Sequence, residues 1–209
     1  MSIVRKKAPA FSAGAVINGE EMIRGFSLDQ YLGKKYVVFF FYPNDFTYVC
    51  PTEILAFQEM LAEFESRDVA VVGCSTDTVE THLAWLMTPK KNGGIEGVTY
   101  PLVADTSKTI ATNFGVLAGE YGYNEENEMV FDGVPTALRG TFLIDKEGII
   151  RHSVVNDYPL GRNIEDTLRL VKALQYTEKY GEVCPANWDE GKDALKENRE
   201  SIAAYLGSH

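Results

Sequence analysis

The chain has 209 residues, of which 45% are hydrophobic and 24% charged, and this composition is typical of a globular domain and excludes a wholly disordered chain. Lys and Arg number 20 against 30 Asp and Glu, and the resulting net charge of -10 argues against nucleic acid as a partner. The longest aromatic and aliphatic run is far shorter than the about 20 residues that span a bilayer, and no secretion signal follows the first residues. We therefore expect a cytoplasmic protein without a membrane partner.

The first half of the chain predicts two buried strands, each followed by a helix. Residues 36–42 are a continuous β-branched and aromatic run, which is typical of a strand buried on both faces. Apolar residues then recur every three or four positions over residues 51–66, which predicts one amphipathic helix. Residues 69–74 predict a second buried strand, and a short helix follows from Thr78 and is closed by Pro89.

The middle of the chain has weaker patterns. Residues 100–103 predict a short strand and residues 107–114 a short helix. The stretch 118–134 is acidic, contains three glycines and shows little periodicity, so we interpret it as a surface insertion. Two runs at 141–144 and 149–155 flank a turn sequence and predict a hairpin.

The C-terminal part begins with a helix from Asn163, whose apolar residues recur at helical spacing. A polar tail follows, carrying Cys184 and a final short helix that ends near Leu206. The order of elements predicts an α/β protein with a mixed central sheet flanked by helices, which is the order of a thioredoxin-like fold. We predict one domain over residues 1–180 and a C-terminal arm over residues 181–209.

Cys50 is the strongest candidate for chemistry among the three cysteines. It lies where a buried strand passes into a helix N-terminus, a position that favours a thiolate. Thr47 can place a hydroxyl near the sulfur, and Pro43 shapes the loop and removes one backbone donor. A small, buried, structural cysteine is the alternative that these features alone leave open.

Two separated cysteine motifs give the sequence a family resemblance. Residues 43–50, Pro-Asn-Asp-Phe-Thr-Tyr-Val-Cys, fit the Pro-x-x-x-Thr-x-x-Cys pattern of the peroxiredoxins, and residues 183–185, Val-Cys-Pro, resemble their resolving-cysteine motif. The resemblance runs from about Ala8 to about Leu206. It is closest to the typical 2-Cys peroxiredoxins, the group that includes the peroxidase component of the bacterial alkyl hydroperoxide reductase.

The resemblance implies a role for each matching residue. Cys50 would be the peroxidatic nucleophile and Cys184 the resolving thiol. Thr47 would bind the thiolate and the incoming peroxide, Arg139 would supply positive charge beside the sulfur, and Pro43 would shield the pocket.

Glu53 and Arg162 would form a pair that orients the residues in contact with the sulfur.

No cofactor is implied. A metal site is not expected either, because the chain has no Cys-x-x-Cys motif and no His pair at ligand spacing. Cys74, His82 and Trp85 are expected to pack in the core.

The implied activity is reduction of hydrogen peroxide and small alkyl hydroperoxides through a sulfenic acid, resolved as a Cys50–Cys184 disulfide between subunits. The electron donor would be thioredoxin or a flavoprotein disulfide reductase. The resemblance also implies a homodimer joined along the strand at 149–155 and further assembly to a decamer. An oligomeric holdase chaperone and a redox relay are the alternatives. Residues 118–138 depart from the family pattern because they are longer and more acidic.

Overall fold

The computed structural model describes residues 2–208. The chain forms two compact units, and the boundary falls between Arg162 and Asn163. Within residues 2–208, the first unit holds nine strands and four α-helices, and the second holds two α-helices and the tail between them. The predicted division at residue 180 stays a prediction.

The first unit is built on one mixed sheet of seven strands in the order β2-β1-β5-β4-β3-β8-β9. A separate two-stranded sheet is formed by β6 and β7. The strands are β1 Ala13–Ile17, β2 Glu21–Phe26, β3 Tyr36–Phe41, β4 Val69–Ser75, β5 Leu102–Ala104, β6 Leu117–Tyr123, β7 Met129–Ala137, β8 Arg139–Ile144 and β9 Ile150–Asn156. The helices of this unit are α1 Cys50–Glu59, α2 Leu61–Ser66, α3 Val79–Leu86 and α4 Thr109–Asn113.

The centre of the sheet is the parallel pair β3 and β4, in which every residue is buried. Their β-branched and aromatic side chains need apolar surroundings on both faces, and this explains why both runs are recognisable in the sequence. β8 pairs antiparallel with β3, and β9 pairs antiparallel with β8 as the end strand. The predicted α/β fold with a mixed central sheet is confirmed.

Aromatic side chains of β3 pack on opposite faces of the sheet. On one face Phe39 meets Phe114 edge to face, with the ring centroids 5.1 Å apart. Phe41 lies tilted against the same ring, with the centroids 5.3 Å apart. On the other face Phe40 stacks on Phe57 of α1 at 4.3 Å. Because Phe57 is seven residues beyond Cys50, two helical turns, this contact fixes the helix that carries the cysteine.

The single helix predicted over residues 51–66 is wrong in one detail, because the chain forms two helices separated by Met60. Met60 has φ -98° and ψ 3°, outside the helical range. The apolar spacing continues across the break through Phe57, Leu61 and Phe64, all buried. Periodicity alone therefore could not reveal it.

Two hairpins lie outside the predicted elements. The β1–β2 hairpin is absent from the prediction because β2 exposes most of its residues and has no apolar alternation. The second, β6–β7, occupies the stretch interpreted as an insertion without regular structure. Its strands pair from Tyr123↔Met129 to Leu117↔Ala137, and Tyr121 meets Phe131 edge to face at 4.9 Å. Glycines and acidic residues interrupt the alternation of these strands, so the pattern does not show them.

The second unit consists of α5 Ile164–Tyr180, the tail, and α6 Arg199–Ser208. Asn163 caps α5, because its side chain accepts a hydrogen bond from the Asp166 amide, and Gly181 ends it with φ 67°. In the tail, Val183 and Leu195 exchange two backbone hydrogen bonds of 2.7 and 2.9 Å. No helix within residues 2–208 has the length and apolar character needed to cross a membrane.

Candidate active site

Cys50 is the first residue of α1 and is fully buried. Pro51 follows it in the first turn, where a missing N–H leaves no hydrogen bond unmade. The loop that precedes it runs from the end of β3, as the sequence predicts. The sulfur therefore lies at the positive end of the helix dipole, which favours a negative charge there.

Arg139 brings a second source of positive charge to the sulfur. It is the first residue of β8 and only 4% exposed. Its Nη1 donates to Cys50 Sγ at 3.3 Å and to Glu53 Oε2 at 2.6 Å. Its Nε donates to the carbonyl oxygen of Tyr158 at 2.8 Å. Three acceptors thus hold the guanidinium in place beside the thiol.

Glu53 lies between two arginines, one turn along α1 from the cysteine. Besides Arg139, it accepts a hydrogen bond at 3.1 Å from the backbone amide of Arg162. Nη1 of Arg162 lies 3.2 Å from Glu53 Oε2, close enough for an ion pair but without hydrogen-bond geometry. The structure thus brings Glu53 and Arg162 together, and it also joins Glu53 directly to Arg139.

Arg162 is held by the sheet as well as by Glu53. Its Nε donates to Thr141 Oγ1 at 2.9 Å, and its Nη2 donates to the carbonyl oxygen of Phe41. Burial lowers the pKa of Arg162 to about 10, although the carboxylate of Glu53 opposes the change. The side chain consequently remains cationic at neutral pH.

The charges of this buried cluster do not cancel unless Cys50 is ionised. Two guanidiniums and one carboxylate have side chains that are 2–4% exposed, and their formal charges sum to one positive charge. An uncompensated charge in such surroundings is costly, and a neighbouring thiolate would neutralise it. The arrangement can therefore stabilise an anionic sulfur and donate hydrogen bonds beside it.

The sulfur faces an open cavity of about 470 Å³. Pro43, Thr47, Cys50 and Arg139 all line it, so the structure brings these four predicted residues to one place. The Thr47 hydroxyl donates to the carbonyl oxygen of Asn44 at 2.8 Å. A hydroxyl has one proton, so this bond leaves only the lone pairs of the Thr47 oxygen to interact with a ligand. The hydrogen bond from Thr47 to the thiolate that the resemblance implies is therefore not made in this arrangement.

Cys184 belongs to the second unit and is half-buried. Its sulfur lies 3.7 Å from the carbonyl oxygen of Ala173 and 3.7 Å from Thr177 Oγ1, both on α5. All three cysteines are free thiols. Cys184 is thus partly accessible, which a thiol that must reach a partner requires.

Cys74 and His82 are buried. Cys74 is enclosed in β4, where burial and, to a smaller extent, the charge of Asp105 raise the pKa of its thiol well above the usual value. His82 lies in a polar network with Asp45 and Tyr42, in which its Nδ1 is 2.7 Å from Asp45 Oδ2. Its Nε2 lies 3.2 Å from the carbonyl oxygen of Val103, which can only accept. The Val103 carbonyl thus calls for a proton on Nε2, while Nδ1 pairs with the Asp45 carboxyl group.

Sequence reasoning did not single out Tyr158 and Thr136. Tyr158 holds Arg139 through a backbone carbonyl, and a backbone group leaves no mark on residue type. Thr136 Oγ1 lies 2.9 Å from Tyr158 Oη and lines the cavity. The only signal was indirect, because Tyr158 follows a predicted strand and precedes Pro159. Within residues 2–208, no group of three or more His, Cys, Asp or Glu side chains is arranged to hold a metal ion.

Comparison with known proteins identifies the family of the chain. Residues 4–153 match the AhpC/TSA family, and residues 173–208 match the C-terminal domain of 1-Cys peroxiredoxin. Peroxiredoxin 2 of Drosophila melanogaster is 50% identical over 195 residues, covering 93% of this chain and 92% of that protein. Thioredoxin peroxidase of Echinococcus granulosus is 42% identical and covers 99% of both chains.

A solved structure gives the same result for the fold. The reduced 2-Cys peroxiredoxin of Plasmodium vivax superposes with a TM-score of 0.88 at 40% identity, covering 99% of this chain and 100% of that one. The matched segments include Cys50, Arg139 and the tail that carries Cys184. The chain therefore belongs to the AhpC/TSA family, as a 2-Cys-type peroxiredoxin and thus a thiol-dependent peroxidase.

Proposed function

We propose that Cys50 reduces hydrogen peroxide and small alkyl hydroperoxides, with Arg139 and Thr47 in contact with the reacting atoms. The observation that carries the proposal is the buried positive charge beside the sulfur, with Arg139 Nη1 3.3 Å from Sγ. A thiolate is the nucleophilic form of cysteine. Glu53 and Arg162 act as positioning residues, because they hold the Arg139 guanidinium and the start of α1.

The first step forms an S–O bond and breaks the O–O bond. The Cys50 thiolate attacks the terminal oxygen of the hydroperoxide, and the two electrons of the broken bond leave with the alkoxide or hydroxide. That leaving group takes up one proton and departs as alcohol or water. The sulfur, oxidised by two electrons, becomes a sulfenic acid.

Ionisation of the thiol alone does not make a cysteine a fast peroxidase. A more acidic thiol is ionised more often, but its thiolate is intrinsically less nucleophilic, and the two effects largely offset each other. Fast peroxide reduction therefore also needs groups that bind the transition state better than the substrate. Arg139 is a donor at the leaving oxygen, and the free lone pairs of Thr47 can accept a hydrogen bond from the O–H of the hydroperoxide, whose proton stays on the transferred oxygen.

The second step is resolution by Cys184. Its thiol attacks the sulfenic sulfur, forms the Cys50–Cys184 disulfide and releases water. We propose that the two cysteines belong to different subunits and that the first turn of α1 unwinds before they meet. Support comes from the full burial of Cys50, because a buried sulfenic acid must become exposed before a second sulfur can approach it. A disulfide-linked dimer on a non-reducing gel, lost in Cys184→Ser, is the expected result.

The assembly and the donor are part of the same proposal. β9 is the end strand of the sheet and exposes Val154 and Val155 near its C-terminal end, so this part of the strand can pair with a second copy to form a homodimer. Further assembly to a decamer, a cytoplasmic location and reduction by thioredoxin or a flavoprotein disulfide reductase complete the proposal. Reconstitution with each donor distinguishes the two sources of electrons.

The test uses Cys50→Ser together with a thiol reductant and hydrogen peroxide. Peroxide consumption is expected to disappear, because serine cannot supply the thiolate. A holdase needs neither Cys50 nor Arg139. If the chain has holdase activity, Cys50→Ser and the unsubstituted protein are expected to protect an unfolding client protein equally well. Retention of peroxide consumption by Cys50→Ser would contradict the proposal.

A further inference from the structure

The β6–β7 hairpin contributes one wall of the Cys50 cavity. Val134 and Thr136, both on β7, line it together with Cys50 and Arg139. This strand falls in the stretch that we interpret from the sequence as an insertion. The hairpin therefore contributes to the candidate active site, because residues of its second strand line the cavity that contains Cys50.

The base of the hairpin is tied to the rest of the cavity. Thr136 Oγ1 lies 2.9 Å from Tyr158 Oη, and both residues line the cavity. The Leu138 amide donates to the carbonyl oxygen of Val116 at 2.8 Å, and Thr76 Oγ1 donates to that of Pro135 at 3.4 Å. These bonds flank Val134 on its C-terminal side and hold it in position.

The mouth of the cavity is apolar. Val134 is 47% exposed, and it shares the lining with Val49, Pro159 and the ring of Tyr48, which is 94% exposed. Hydrogen peroxide has no carbon atoms and cannot use such a surface. The hydrocarbon part of an organic hydroperoxide can, because its contact with these side chains removes apolar area from water.

We propose that Val134 is a specificity-determining residue, and that it favours hydroperoxides with a bulky apolar substituent over hydrogen peroxide. The inference rests on the proposed function, in which the peroxide group reacts at Cys50. With the peroxide oxygens at Arg139, the substituent points outward along the cavity toward Val134 and Pro159. The hairpin then selects among substrates without touching the reacting atoms.

The experiment compares Val134→Thr with Val130→Thr, using cumene hydroperoxide and hydrogen peroxide as substrates. Both valines lie on β7 and are exposed to a similar degree, 47% and 40%, but Val130 does not line the cavity. Threonine keeps the β-branched shape, so the strand is retained. Val134→Thr is expected to lower kcat/KM for cumene hydroperoxide by about threefold to tenfold, with less than a twofold change for hydrogen peroxide. Val130→Thr is expected to change neither.

Each other outcome overturns the inference. An equal fall for both peroxides would assign Val134 a structural role, and an unchanged ratio would remove it from the substrate path. An equal effect of Val130→Thr would point to the hairpin's stability instead. If the unsubstituted chain consumes neither peroxide, the proposed function fails and this inference fails with it. If the unsubstituted chain consumes hydrogen peroxide but Val134→Thr leaves the ratio of the two substrates unchanged, only the inference about Val134 fails.

Discussion

Cys50 and Cys74 are both fully buried, yet their surroundings differ in charge. Cys50 begins a helix and has the Arg139 guanidinium at 3.3 Å. Cys74 lies within β4, where its sulfur is 4.0 Å from the carbonyl oxygen of Ser75, and the nearby charge is the carboxylate of Asp105. Because both thiols are buried, we expect the sign of the neighbouring charge to decide which of them can react.

The largest expected effect comes from removing the cation from Cys50. Arg139→Gln should lower the second-order rate constant with hydrogen peroxide by about 10²- to 10³-fold, as removal of one transition-state donor does elsewhere. Stopped-flow measurement of the reduced protein gives this rate constant. Arg169→Gln is the matched control, since it also breaks an ion pair, with Asp166 at 2.7 Å, but lies on α5. It should change the rate less than twofold. Equal rate constants in Arg139→Gln and the unsubstituted protein would show that the guanidinium does not account for the reactivity of Cys50.

An intermediate effect is expected at Cys74, and on stability instead of rate. Cys74→Ser buries a hydroxyl among apolar side chains of β3 and β5, so the free energy of unfolding should fall by about 1–3 kcal/mol. Urea unfolding measures it. The peroxide rate constant of the folded variant should stay within twofold of the unsubstituted protein. A large rate loss in a variant that is still folded would show that Cys74 takes part in the chemistry.

How much of this contrast is visible in the sequence depends on the kind of group. The buried runs that became β3 and β4 and the position of Cys50 at a helix start follow from residue patterns. Arg139 lies 89 residues from Cys50, and only the family resemblance pointed to it. The carbonyl of Tyr158 and the break at Met60 left no direct signal, because backbone acceptors and local dihedral angles depend on tertiary packing.

The smallest expected effect extends the comparison to the buried side chain of His82. Burial opposes the charged form of His82, but its hydrogen bond to Asp45, the charge of Asp45 and the carbonyl of Val103 outweigh this and raise the pKa of His82. A raised folded pKa means that the stabilisation is fully present below the unfolded value of about 6.5 and is lost as the pH rises through the folded value.

His82→Gln should therefore flatten the pH dependence of the free energy of unfolding above about pH 6.5, by about 1.4 kcal/mol for each unit of pKa difference. Urea unfolding over a pH series measures the two curves. Parallel curves for His82→Gln and the unsubstituted protein would mean that Asp45 holds a neutral imidazole.

The most direct test follows which sulfur is oxidised first. Reduced Cys184→Ser protein, treated with one equivalent of hydrogen peroxide, is trapped with a reagent for sulfenic acids and mapped by mass spectrometry. The trapped label should lie on Cys50 while Cys74 stays a thiol, and in Arg139→Gln the label should appear far more slowly. Label on Cys74 at a comparable rate, or labelling of Cys50 that is indifferent to Arg139, would contradict the claim that the neighbouring guanidinium makes one buried sulfur reactive.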